Sequence, residues 1–172
     1  GDFIYQRRTS FNDLFVLVPE FSSEVNLTRK IHSVYGQFSV TKGMFGYNAG
    51  LRVEAMNRTL LLKDKANTID DELHYDFTKM YPSASINYTV NENTNLKIAY
   101  SKRVERTTTF KMNPFPEREH SETLEQGDPN LKPEFIDLVE LGVDSMLGKH
   151  NVFATAYFRS TQNVVNRVNT VY

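Results

Sequence analysis

Cysteine is absent from the 172 residues, so neither a disulfide framework nor a thiolate metal site is possible. Tryptophan is absent too, although Phe occurs twelve times and Tyr nine. No uninterrupted apolar run approaches the roughly 18 residues of a membrane-spanning helix, and none reads as a signal peptide. A transmembrane helix is therefore excluded. A transmembrane β-barrel is not, because alternating strands give only a weak hydropathy signal. Helical spacing is equally scarce, since no segment sustains apolar residues at i, i+3 and i+4. Neither sign of charge dominates: Lys and Arg number 20 and Asp and Glu 21, spread along the chain. Nothing in that balance points to a nucleic-acid partner.

Catalytic and metal-binding patterns are missing as well. There is no Gly-rich phosphate loop, no nucleophile elbow and no Cys/His pair. His32, His74, His120 and His150 are scattered without paired spacing. The carboxylates Asp70, Asp71 and Glu72 stand together but lack the alternating ligand spacing of an EF-hand, and read as a solvated acidic loop. No convergent carboxylate pair for hydrolysis is evident. The expectation is a protein without enzymatic activity, cofactor or metal.

What the chain does contain is alternation. Asp2–Arg8 fits a short strand, and Asn12–Glu20 is apolar but irregular up to Pro19. These first residues, 1–22, are poorly defined by pattern; the strand meander is expected over 23–165. Glu24–Lys42 alternates, with Val34, Phe38 and Val40 opposed to Tyr35, Gln37 and Ser39. Lys42-Gly43 marks a turn. Phe45–Asn57 follows, with Tyr47, Leu51 and Val53 opposite Asn48, Arg52 and Glu54. Arg58–Phe77 reads as a polar connection. Met80–Val90 is strand again, and Asn91–Thr94 a short hairpin loop. In Asn95–Val104, Leu96, Ile98 and Tyr100 oppose Lys97, Ala99, Ser101 and Arg103. A second long polar connection, Glu105–Lys132, ends in Gly127-Asp128-Pro129-Asn130, whose Gly and Pro set turn geometry. Phe135–Leu147 alternates, turns at Gly148-Lys149-His150, and returns as Asn151–Val165.

The fold class expected is all-β, an antiparallel meander of long hairpin-connected strands. Strands of ten or more residues exceed the globular norm of about five or six, and match the roughly 9–11 a tilted membrane strand needs. Short turns alternating with long loops is the layout of an outer-membrane barrel. A soluble β-sandwich or a lipocalin-like ligand-binding module alternates in the same way. Pattern leaves both open; strand length leans towards the membrane.

Several segments carry a family resemblance. Tyr100-Ser101-Lys102-Arg103, Asn113-Pro114-Phe115, Gly127–Glu134 (GDPNLKPE) and Glu140-Leu141-Gly142 occur in the order found in TonB-dependent outer-membrane receptors. The chain most resembles the outer-membrane β-barrel family of the Bacteroidetes type. Ala49–Glu54, Pro82–Ile86, Lys149-His150-Asn151 and Tyr157-Phe158-Arg159 fit too; Asp128 stands where that family usually has Asn. The resemblance implies part of a barrel wall in the outer membrane of a Gram-negative bacterium, for uptake of a bulky nutrient (siderophore, cobalamin or glycan). It implies membrane lipid, a plug domain, further barrel strands and TonB, reached through the plug, as partners. Arg52, Glu54, Lys102, Arg103 and Glu140 would then face the lumen. Residues 58–77 and 105–132 would lie outside the cell, where Arg106, Lys111, Arg118, Glu119 and His120 could touch ligand. The first residue is Gly rather than Met, and the chain reads as a piece of a longer protein.

Overall fold

The computed structural model describes residues 2–11, 22–66, 69–120 and 123–169, without the side chains of 2 and 117–124. The expected apolar stretch Asn12–Glu20 lies outside the described residues. The elements are β1 (Asp2–Arg8), β2 (Ser23–Lys42), β3 (Phe45–Asp64), β4 (Asp70–Asn91) and β5 (Thr94–Glu105), then a single helical turn α1 (Thr109–Met112). After it come β6 (Glu117–His120), β7 (Thr123–Glu125), β8 (Glu134–Leu147) and β9 (His150–Gln162). Seven strands form one antiparallel sheet in the order β1-β2-β3-β4-β5-β8-β9, and β6 pairs with β7. The meander expected from alternation is therefore the fold. Two of its turns need glycine: Gly43 and Gly148 have φ of 59° and 65°, where a Cβ is disfavoured.

Asp2–Arg8 is the short strand expected of it, with a full register on β2 from Asp2 opposite Arg29 to Arg8 opposite Ser23. One boundary differs from expectation: Arg58–Phe77 is not a loop. β3 continues to Asp64 and β4 begins at Asp70, so nearly all of that stretch is strand. Its polar composition misled because the period of two persists while the side that is polar changes.

The chain divides into two compact units. The first comprises Gly1–His32, Ala55–Thr78 and Arg106–Lys132. It has a core of Val25, Leu27, Leu60, Leu62, Met112 and Phe115, with Ile69, Leu73 and Leu131 packed on it. Every second residue of β3 from Met56 to Leu62 is buried. The intervening positions are mainly polar: Thr59 Oγ1 lies 3.2 Å from His74 Nδ1, and Lys63 pairs with Asp70 at 3.3 Å. Water on one side and apolar packing on the other is how a soluble half-buried strand behaves.

The second unit comprises Ser33–Glu54, Lys79–Glu105 and Pro133–Tyr172, and its polarity is reversed. Here the positions sharing Leu51's side of β3, from Phe45 to Val53, are apolar and largely exposed, as are Phe38, Met80 and Ile86. Across β5 and β8 the same rule holds, with Leu96 opposite Val143, Ile98 opposite Leu141 and Tyr100 opposite Val139. Phe45 stacks on Tyr88 at 4.7 Å between ring centroids and on Tyr47 at 6.1 Å. The other side of the sheet, where Arg52 lies, carries Ser39, Asn48 and Ser85 joined by hydrogen bonds of 2.6 and 3.3 Å.

Candidate functional site

The candidate site is the polar side of the second unit. Strand pleating sends Gln37, Asn48, Ser83, Ser85, Lys97, Ser101, Arg103 and Glu140 to one open concavity of about 310 Å³. Gly50, Ala84 and Ala99 belong to the same lining. Two residues along β3 from Gly50 stands Arg52, whose guanidinium carbon lies 4.8 Å over the Tyr81 ring and whose Nη1 is 3.6 Å from Glu54 Oε2. Glu54 is 1% exposed while the Arg52 side chain is 42% exposed, so the pair joins a buried carboxylate to an open guanidinium. Lys79 lies over the buried Phe135 ring at 4.1 Å, within cation–π reach.

Of the residues singled out from sequence, Arg52, Glu54, Arg103 and Glu140 belong to this polar side. Lys102 does not. It is in register with Asp137, its Nζ is 3.3 Å from Asp137 Oδ2, and Tyr100 Oη donates to Asp137 Oδ1 at 2.6 Å. Tyr100, Lys102 and Asp137 therefore share the apolar side, one pleat removed from Arg103. Adjacent residues of a strand cannot face the same way, and grouping Lys102 with Arg103 overlooked that. The same parity admits Lys97, which the earlier grouping left out.

The remaining candidates lie in 106–132, in the first unit. Arg106 follows directly on β5, and Lys111 is exposed on α1. Arg118 opposes Leu124 and His120 opposes Thr123 across the β6–β7 pair, with Glu119 between them. This connection is folded rather than free. Gly127 N–H donates to Asn113 O at 2.7 Å, and Asp128 N–H to Lys111 O at 3.0 Å. A Cβ on Gly127 would fall on the Lys111 carbonyl oxygen and 2.8 Å from Asn113 O, so only glycine fits. Asp128 Oδ1 caps the turn by accepting from Asn130 N–H at 2.9 Å.

Two arginines hold the ends of this segment. Arg29 Nη2 donates to Thr107 O and Arg58 Nη1 to Leu131 O, both at 2.9 Å. Arg58 is 5% exposed, with its guanidinium carbon 5.0 Å over the Tyr75 ring and Nη1 3.1 Å from Met112 Sδ. Burial lowers its pKa from the usual guanidinium value, Arg29 lowers it further, and Tyr75 opposes the shift. Sequence reading counted Arg58 as a loop charge; its place on the buried parity of β3 is the signal that would have found it. Among the described residues no group of His, Asp and Glu has metal-site geometry.

A meandering antiparallel sheet with one exposed apolar side and one polar, charged side defines an outer-membrane β-barrel wall. The profile of the outer membrane protein beta-barrel family matches residues 1–172, and the chain belongs to that family, in the outer membrane of a Gram-negative bacterium. No protein of curated function matches the chain. The soluble sandwich or lipocalin-like alternative falls with this assignment. It requires the apolar side of the sheet to be buried in a core, whereas on that side Phe38 and Met80 remain more than 60% exposed.

Proposed function

We propose that the chain forms part of the barrel wall of a TonB-dependent receptor that takes up a bulky nutrient across the outer membrane, without catalysing a reaction. In this reading the Leu51 side of the second unit meets lipid. Residues 45–53 of β3 and 80–90 of β4 supply nine and eleven residues, the roughly 9–11 a tilted strand needs to cross hydrocarbon. The Arg52 side lines a watery bore. The first unit stands in water outside the cell, which is why its apolar residues turn inward.

The observation that carries the receptor reading is the clasp between Asn113 and Gly127. The two segments whose sequences resemble those of the receptors, NPF and GDPN, meet and are joined by the backbone hydrogen bond from Gly127 N–H to Asn113 O. A plug domain, further barrel strands and TonB acting through the plug complete the machine under this proposal. Its substrate is a siderophore, a cobalamin or a glycan-sized solute. The test is uptake by the native bacterium with the gene deleted and restored. Uptake of the nutrient on which growth depends should vanish on deletion, return with the gene, and stop when an uncoupler collapses the proton-motive force. Uptake indifferent to the uncoupler would make the protein a passive pore and end the proposal.

A further inference from the structure

We infer that the concavity on the polar side of the second unit binds a short peptide with free termini. This rests on the proposal that the polar side lines a transport bore, and it narrows the solute that passes. Lys97, Arg103 and Glu140 line the same 310 Å³ concavity. None of the three forms a hydrogen bond or ion pair with another described residue. Lys97 is in register with Gly142 and Ala99 with Glu140, so Lys97 and Glu140 are diagonal neighbours. Long side chains so placed are within reach of each other, yet they are held apart. Some charges on this sheet do find partners, as Arg52 does with Glu54 and Lys102 with Asp137. Others, such as Asp144, find none among the described residues, and the three in the concavity are of that second kind.

The spacing fits a ligand with a charge of each sign. Glu140 is level with Ala99, four residues along β5 from Arg103. At about 3.3 Å per residue that is roughly 13 Å, the span of about four residues of extended peptide. Between them the Ser101 hydroxyl is buried and lacks a hydrogen-bond partner, an unsatisfied polar atom in the same lining. Glu140 suits the ammonium terminus and Arg103 the carboxylate, the latter by two parallel N–H···O bonds. Tyr157, level with Glu140 on β9, is exposed on the same side, so the ammonium end also meets an aromatic face there. The volume is at the lower end for ligand pockets, so this wall seats one flank of the peptide.

The experiment is calorimetric titration of the purified outer-membrane protein that carries this chain with tetra-alanine. N-acetyl-tetra-alanine amide and maltotetraose serve as the comparison solutes. Tetra-alanine should bind and the other two should not. E140Q and R103Q should each weaken it about tenfold or more, as expected for loss of a charge-assisted contact. Neither should change the unfolding midpoint, because neither side chain holds the fold. Absence of tetra-alanine binding, equal binding of the blocked peptide or of maltotetraose, or undiminished binding by both variants would each overturn the inference. Energised uptake of another nutrient without peptide binding sinks the peptide site alone. Peptide binding with uptake unaffected by an uncoupler sinks the receptor proposal and leaves the site.

Discussion

At the scale of single residues, two positions outside the polar side govern whether segment 106–132 keeps its shape. Gly127 is required for space rather than for an unusual backbone angle. G127A should cost about 1–3 kcal/mol through overpacking against the Lys111 and Asn113 carbonyls. Limited proteolysis should then cut between 106 and 132 well before the rest of the protein. Unchanged cleavage would mean that the clasp contributes little. Leu60 is fully buried in the first unit's core, and L60A should lower stability by about 2–5 kcal/mol in a detergent unfolding series. Arg58 needed the structure to be understood. Its neighbours in sequence are polar, and only its even parity on β3, shared with Met56, Leu60 and Leu62, marks it as buried.

At the scale of the strand, β3 shows how far sequence could be read. Tyr47, Leu51 and Val53 against Asn48, Arg52 and Glu54 made the alternation plain, and the antiparallel meander followed from it. The far half was lost because Arg58, Thr59, Lys63 and Asp64 look like a loop when polarity is read without parity. Nothing in the spacing changes there; the side that carries Asn48 and Arg52 near one end of β3 carries the buried Met56, Leu60 and Leu62 at the other. The boundary of the two compact units falls between Glu54 and Ala55 in β3, between His32 and Ser33 in β2 and between Thr78 and Lys79 in β4. Sequence also placed Arg103 and Glu140 together on one side, but not their lack of partners, which depends on rotamers and curvature. The strand reading makes a paired prediction. L51R should destabilise refolding into lipid vesicles by about 2–4 kcal/mol, whereas N57R, on the same side of the same strand, should cost only about 0–1. Equal penalties would show that the two residues share one environment.

At the scale of the whole molecule, the absence of tryptophan becomes an instrument. Single tryptophans at Val34, Val53 and Met80 should be quenched by lipids brominated on their acyl chains. Those at Lys30, Asn57 and Asp76 should not. Quenching at both sets would place the entire sheet in hydrocarbon and contradict a water-exposed first unit. Because the two environments trade places without any break in the pleat, these strands can lengthen only in even steps. One residue added to β3 between Val53 and Met56 would roll every later side chain half a turn, handing Leu60 and Leu62 to water. Two residues would merely raise the rim.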